Sequence, residues 1–204
     1  MAESAVSSKS KEGIRMAGWD VVIRGIAFAA TISATIVMAT NKQTKTIPLP
    51  LNPAITIPVT AKFHYTPAFV FFVAVNGIAC GYALVTLISS VVVKHVLKSK
   101  HTDLHECLVG LLDLVTVATL SAGASAAAAI SEVGKNGNKH SQWNKICDKV
   151  GRFCDRGGGA LIASFAGVLA FMLLSHITTY SLYKRSRKLS SAPPEQQLTQ
   201  TPCP

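Results

Sequence analysis

Formal charge is scarce in this chain. Only 15% of its 204 residues are Asp, Glu, Lys or Arg, against about 25% in an average soluble domain. Acidic groups are scarcer still, ten against twenty Lys and Arg. A protein this poor in charge cannot keep a water-facing surface wet, and 49% hydrophobic residues with a mean hydropathy of +0.36 point the same way. Disorder is excluded for most of the length, because too much apolar surface needs covering. Five cysteines without a tight framework exclude a disulfide-stapled secreted miniprotein. Catalytic patterns are missing as well: there is no nucleophile elbow, phosphate loop or pair of catalytic carboxylates, and the glycines at 157–159 follow a loop rather than a strand. The chain is therefore read as a non-enzyme with no catalytic residue, no cofactor and no resident metal. A net charge of +10 would suggest nucleic acid in a soluble protein, but here the charges lie between long apolar runs. The partner is a lipid bilayer, not nucleic acid.

Apolar runs are what the chain has in abundance. A hydrocarbon core about 30 Å thick needs about 20 apolar residues of helix. Four segments qualify, at about 19–40, 67–93, 104–130 and 158–182. They are apolar on all sides rather than striped, which fits helices with lipid around them and not the half-buried helices of a soluble fold. The expected fold is an all-α membrane protein: a four-transmembrane-helix bundle over residues 19–183, with connecting loops at 41–66 and 131–157 and disordered tails at 1–18 and 184–204.

Four crossings put both termini on one side, and basic residues near span ends decide which. Ten basic residues on the terminal side against nine on the other settle nothing by count. Density does: KHVLKSK joins spans two and three, and KRSRK abuts span four, whereas the other two loops dilute their cations among Pro, Asn, Gly and acidic residues. Both termini are read as cytoplasmic. Loops 41–66 and 131–157 are then outside, where Cys147 and Cys154 could persist as an oxidised pair.

Inside the apolar runs two charges stand out. Arg24 lies about five residues into the first helix and Asp113 about nine into the third, depths of roughly 7 and 13 Å at 1.5 Å per residue. Either charge alone costs about 2.5–3.5 kcal/mol at a helix centre, so such groups pair or face water. Arg24 has the reach to snorkel toward the headgroups. Asp113 is too short for that and needs a partner, a proton or a cavity. A salt bridge between helices one and three satisfies both. Asp113 lining a polar route, in a small channel or transporter, is the competing reading.

In the third span, SAGASAAAA carries two lines of small residues, Ser121–Ser125–Ala129 and Gly123–Ala127. Such lines let helices approach closely where lipid removes the hydrophobic drive, either within the bundle or between protomers. In the 41–66 loop, prolines interrupt any strand and a loose hairpin turning at LNPA is expected. In the 131–157 loop, Trp143, Ile146, Val150 and Phe153 follow helical spacing, so SQWNKICDKV reads as a short amphipathic helix capped by Ser141. That reading conflicts with a Cys147–Cys154 bond, since seven residues of unbroken helix separate Cα atoms by about 10.5 Å, beyond the roughly 7 Å limit. A break at Gly151 would relieve it. His101, His105 and Glu106 cluster where the third span begins, without the second ligand pair a metal site would need.

TPAFVFFVAVNGIACGYAL in the second span, DLVTVATLSAGASAAAAI in the third, and VGKNGNKHSQWNKICDKVGRFCDRGGGAL leading into the fourth resemble the Casparian strip membrane domain protein-like (CASP-like) family of plants. The resemblance covers roughly residues 15–185, and the family is related to MARVEL-type four-helix membrane proteins. It implies a plasma-membrane protein that forms homo- and hetero-oligomers with its relatives, and a scaffold that organises a membrane domain linked to local cell-wall modification, with cell-wall enzymes as further partners. It also matches Arg24 and Asp113 to the family's intramembrane charged pair. TAKFHYTPAF stands where the founding members carry an aromatic-rich signature, and this departure points to a like-protein rather than to the Casparian-strip role itself.

Overall fold

Proline at the first position of a helix sacrifices only an N–H that would have no intrahelical acceptor, and Pro67 occupies that place in the second long helix. The computed structural model describes residues 2–49, 52–92 and 103–190. The elements run α1 (Ala2–Ala39), an antiparallel hairpin of β1 (Lys42–Leu49) and β2 (Asn52–Lys62), a single 3-10 turn at Phe63–Tyr65, then α2 (Pro67–Val92), α3 (Asp103–Asn136) and α4 (Gly151–Ser190). The KHVLKSK connection and the tail beyond Ser190 lie outside the described residues.

Each long helix contains a stretch long and apolar enough to cross a membrane: Gly18–Ala39, Pro67–Val92, His105–Asn136 and Gly151–Lys184. They overlap the four runs read from hydropathy, the third and fourth extending beyond 104–130 and 158–182, and make the chain a four-helix, multi-pass membrane protein. Many of their outward residues are large and apolar, with Ile78 at 74% and Ile162 at 75% exposure. Surface of that kind needs hydrocarbon as its solvent.

The helices overrun their spans at both termini. Residues 2–18, expected to be a disordered tail, continue α1, and 184–190 continue α4. Neither extension contains proline, and adding turns to an existing helix avoids the cost of nucleation. The hairpin is more regular than the prolines suggested. Its register pairs Lys42 with Lys62 and Ile47 with Ile57, with an irregularity between Pro48 and Leu49. In a two-stranded ribbon both strands are edges, so Pro48, Pro53 and Pro58 sit where the missing N–H need not serve a second neighbour.

Segment 137–150 departs most from expectation. It is not a helix. Gly137 takes φ +71° and Gln142 φ +56°, and Asn138 and Trp143 exchange two backbone bonds of 2.9 Å across a tight reversal. The Asn138 Oδ1 accepts the N–H groups of His140 and Ser141 at 3.0 and 3.2 Å, an Asx turn that competes with helix for the same backbone. Ser141 therefore caps nothing. A Cβ at Gly137 would lie 2.8 Å from the Trp143 carbonyl oxygen, so the reversal depends on glycine there. The chain then returns to α3, where the Gly134 carbonyl accepts from Ile146 and Cys147.

The fold divides into two compact units, and every span contributes one part to each. Among the described residues, one comprises 2–28, 81–92, 103–117 and 168–190, the other 29–49, 52–80 and 118–167. In the second unit the core is small side chains around aromatics: Ala34, Met38, Phe69, Phe72, Ala124, Ala127, Ala160 and Leu161. A Cβ at Gly123 would fall 2.4 Å from Val75 Cγ2, so α2 and α3 pack there as closely as backbone allows. The hairpin is tied to α4 in the same unit. Gln43 Oε1 accepts the Phe153 N–H at 2.8 Å, and the Asn41 side-chain NH2 donates to the Phe153 carbonyl at 2.8 Å.

Candidate functional site: a buried charge cluster

In the first unit, α1 and α3 carry Arg24 and Asp113 to the same place. The Arg24 side chain is 3% exposed and that of Asp113 is wholly buried. Their geometry is a fork on a fork, Nη1 to Oδ1 at 3.4 Å and Nη2 to Oδ2 at 3.2 Å, the arrangement in which guanidinium and carboxylate bond most strongly. Arg24 thus points into the protein and does not snorkel.

Three further groups join the cluster, and sequence reasoning missed all of them. Asp20, one turn before Arg24 on α1, accepts its Nε–H with both oxygens at 3.2 and 3.3 Å. Tyr82 of α2 donates its hydroxyl to Asp113 Oδ1 at 2.7 Å, and that hydroxyl also lies 3.1 Å from the Val109 carbonyl oxygen. Ser90, further along α2, donates to Asp20 Oδ2 at 3.2 Å. The i,i+4 spacing of Asp20 and Arg24 was a legible signal. Tyr82 had none beyond being a phenol inside an apolar run.

One guanidinium therefore lies between two carboxylates, and every oxygen of Asp113 is engaged. Chemically this is a closed network: a positioned counter-ion set that ties α1, α2 and α3 together inside the first unit. Asp20 retains a 27% exposed side chain and forms its outer edge. Tyr82 also packs against Phe171 of α4 with ring centroids 6.0 Å apart, which brings the fourth helix to the cluster.

The remaining predicted residues are distributed elsewhere. Cys147 and Cys154 form a disulfide with Cα atoms 5.8 Å apart, a separation available because the turn at 146–150 precedes the start of α4. Gly123 and Ala127 are buried between helices, whereas Ser125 and Ala129 are exposed and Ser121 is half-buried. The two small-residue lines therefore face different surroundings. The expected amphipathic face does not exist: Trp143 and Ile146 are 58% and 51% exposed, Val150 is fully buried, and Phe153 belongs to α4, where its ring meets Phe69 at 6.1 Å. Helical spacing misled here because four apolar residues in a short segment do not distinguish a helix from successive turns. Among the described residues, no group of three or more His, Cys, Asp or Glu side chains could hold a metal ion.

Comparison with known proteins gives this architecture a family. The Casparian strip membrane protein domain matches residues 13–170. CASP-like protein 1B1 of Populus trichocarpa is 44% identical over 173 residues, covering 84% of this chain and 87% of that protein. CASP-like protein 1B2 of Vitis vinifera is 47% identical over 173 residues, covering 84% and 82%. The chain belongs to the CASP-like family. CASP-like protein 1B2 of Arabidopsis thaliana extends the similarity to 191 residues at 38% identity, 89% of this chain and 95% of the relative. No solved structure matches. The whole charge cluster lies within the CASP-like match, from Asp20 to Asp113, as does the disulfide loop.

Proposed function

We propose that this CASP-like protein is a non-catalytic plasma-membrane scaffold that associates with itself and its relatives and organises a membrane domain linked to local cell-wall modification. The observation that carries the reading is an exposed line of small residues on α3. Ala118, Ala122, Ser125 and Ala129 recur at helical spacing and all are exposed, in spans whose other outward residues are mostly large. Small faces of this kind permit close helix–helix approach in lipid. The buried cluster supports the same reading over an ion route, because the Asp113 oxygens are all held by Arg24 and Tyr82. The cluster then serves as a structural pin.

Leucine at Ser125 and Ala129 together is expected to lower the dimer-to-monomer ratio roughly 5- to 30-fold, the range expected for contacts worth about 1–2 kcal/mol in lipid. Single-molecule mass measurement in mild detergent reads this directly. A chain that is monomeric at all concentrations, or that carries ion flux in proteoliposomes lost on Asp113→Asn, would overturn the scaffold reading.

The proposal places both termini in the cytoplasm, as the KHVLKSK and KRSRK clusters favour. A cysteine introduced at Lys139, an exposed position, is then expected to react with a membrane-impermeant maleimide on intact cells, while an N-terminal tag stays protected until the cells are opened. The reverse pattern inverts the topology.

A further inference from the structure

An open cleft of about 690 Å³ in the second unit lies where β1 leaves α1 and α4 begins. Four cations, Lys42, Lys45, Arg152 and Arg156, line it against one carboxylate, Asp148. Among the described residues none of the four makes an ion pair. In the first turn of the 40-residue α4 the N–H groups of Phe153 and Cys154 are engaged by Gln43 and the Val150 carbonyl. This leaves those of Gly151 and Arg152, both in the cleft wall, as the helix N–H groups without an intrahelical acceptor. Charge and dipole therefore both favour an anion.

A separate observation points to the rest of the ligand. Asn41 lines the cleft and is 1% exposed. Its NH2 group is committed to the Phe153 carbonyl, which fixes the orientation of the amide, and its Oδ1 has no hydrogen-bond partner. A buried acceptor left open costs about 1–3 kcal/mol. A hydroxyl on the bound anion would supply the donor that this oxygen lacks.

Level decides the source. Asn41 follows the apolar stretch that ends at Ala39, and the span in α4 starts at Gly151, with its charge-free run beginning just after Arg156. The cleft is therefore at the height of the headgroups, one turn beyond the hydrocarbon. We propose that it binds the headgroup of an anionic phospholipid carrying hydroxyls, of the glycerol or inositol type, with the phosphate held by the cations and the α4 N-terminus and a hydroxyl donating to Asn41. Basic pockets at the ends of transmembrane helices are suited to such headgroups. The inference is independent of self-association and of which side the hairpin faces.

The test is native mass spectrometry of the delipidated full chain, titrated with phosphatidylglycerol, phosphatidylinositol or phosphatidylcholine. The anionic lipids are expected to bind at least roughly tenfold more tightly than phosphatidylcholine, and Arg152→Gln with Arg156→Gln to weaken them roughly 30-fold. Lys42→Gln with Lys45→Gln, on the hairpin, should act similarly without touching α4, which keeps the test valid if the arginine variant misfolds. Lys135→Gln with Lys139→Gln removes the same charge outside the cleft and should change little. Equal binding of all three lipids, or equal losses in the control pair, would overturn the proposal. So would displacement of bound lipid by inorganic phosphate, which would make the ligand a soluble anion, or tighter binding of polygalacturonate, which would make it an acidic polysaccharide.

Discussion

Arg24→Leu is expected to destabilise the protein more than Asp113→Asn, and the double change to cost less than the sum of the two. The asymmetry follows from the cluster's composition. Removing the guanidinium strands two carboxylates, Asp20 and Asp113, close together. Removing the Asp113 charge leaves Arg24 with Asp20 as its counter-ion, and an asparagine oxygen can still accept from Tyr82. Breaking a buried pair from one side costs about 3–5 kcal/mol. Arg24→Leu should sit at the upper end of that range and Asp113→Asn at or below the lower. In the double variant no charge remains at Asp113 to be stranded, so the coupling should be about 0.5–3 kcal/mol, the usual range for residues in contact. A double-mutant cycle on unfolding in detergent measures it. Strict additivity would show that the two groups, though adjacent, do not stabilise one another. Adding Asp20→Asn to Arg24→Leu should recover further stability, which separates a three-charge cluster from a simple pair.

Replacing Cys147 and Cys154 by serine should cost about 2–3 kcal/mol, the chain-entropy value for so short a loop. The loss is expected to be local at first. The disulfide joins the turn after the Asn138–Trp143 reversal to the first turn of α4, where Asn41 and Gln43 also attach. Hydrogen exchange should therefore rise in residues 137–156 before the spans loosen. The bond itself has a direct assay. Trypsin cuts after Lys145, Lys149, Arg152 and Arg156, so the oxidised protein should release Ile146–Lys149 and Phe153–Arg156 as one linked species. Finding both tetrapeptides as free thiols in unreduced protein from the cell surface would refute the pairing.

The four spans were legible because their cause is one-dimensional: length against bilayer thickness, and the absence of charge within each run. The same holds for Arg24 and Asp113. A charge inside an apolar run announces itself, and its energetic cost implies a partner even before any geometry is known. Family membership, too, was carried by contiguous residues, chiefly the stretch from Val133 into α4.

Tertiary structure alone decided how those helices are turned about their own axes. In a soluble helix an apolar stripe encodes that rotation, but lipid is as apolar as a protein core, so a span that is apolar all round carries no such mark. Tyr82 and Ser90 joining the charged residues, Gly123 facing Val75 while Ser125 faces outward, and Asn41 meeting Phe153 from far along the chain are all consequences of rotation and approach. The 137–150 segment was misread for a related reason. Its spacing suited a helix, but Gly137, the Asn138 side chain and the return to the Gly134 carbonyl satisfied the backbone in turns instead. Composition and run length thus determined that the chain crosses the membrane four times with a charged pair inside. Which side chains surround that pair, and which cations gather around the start of α4, depended on packing that no local pattern in the sequence records.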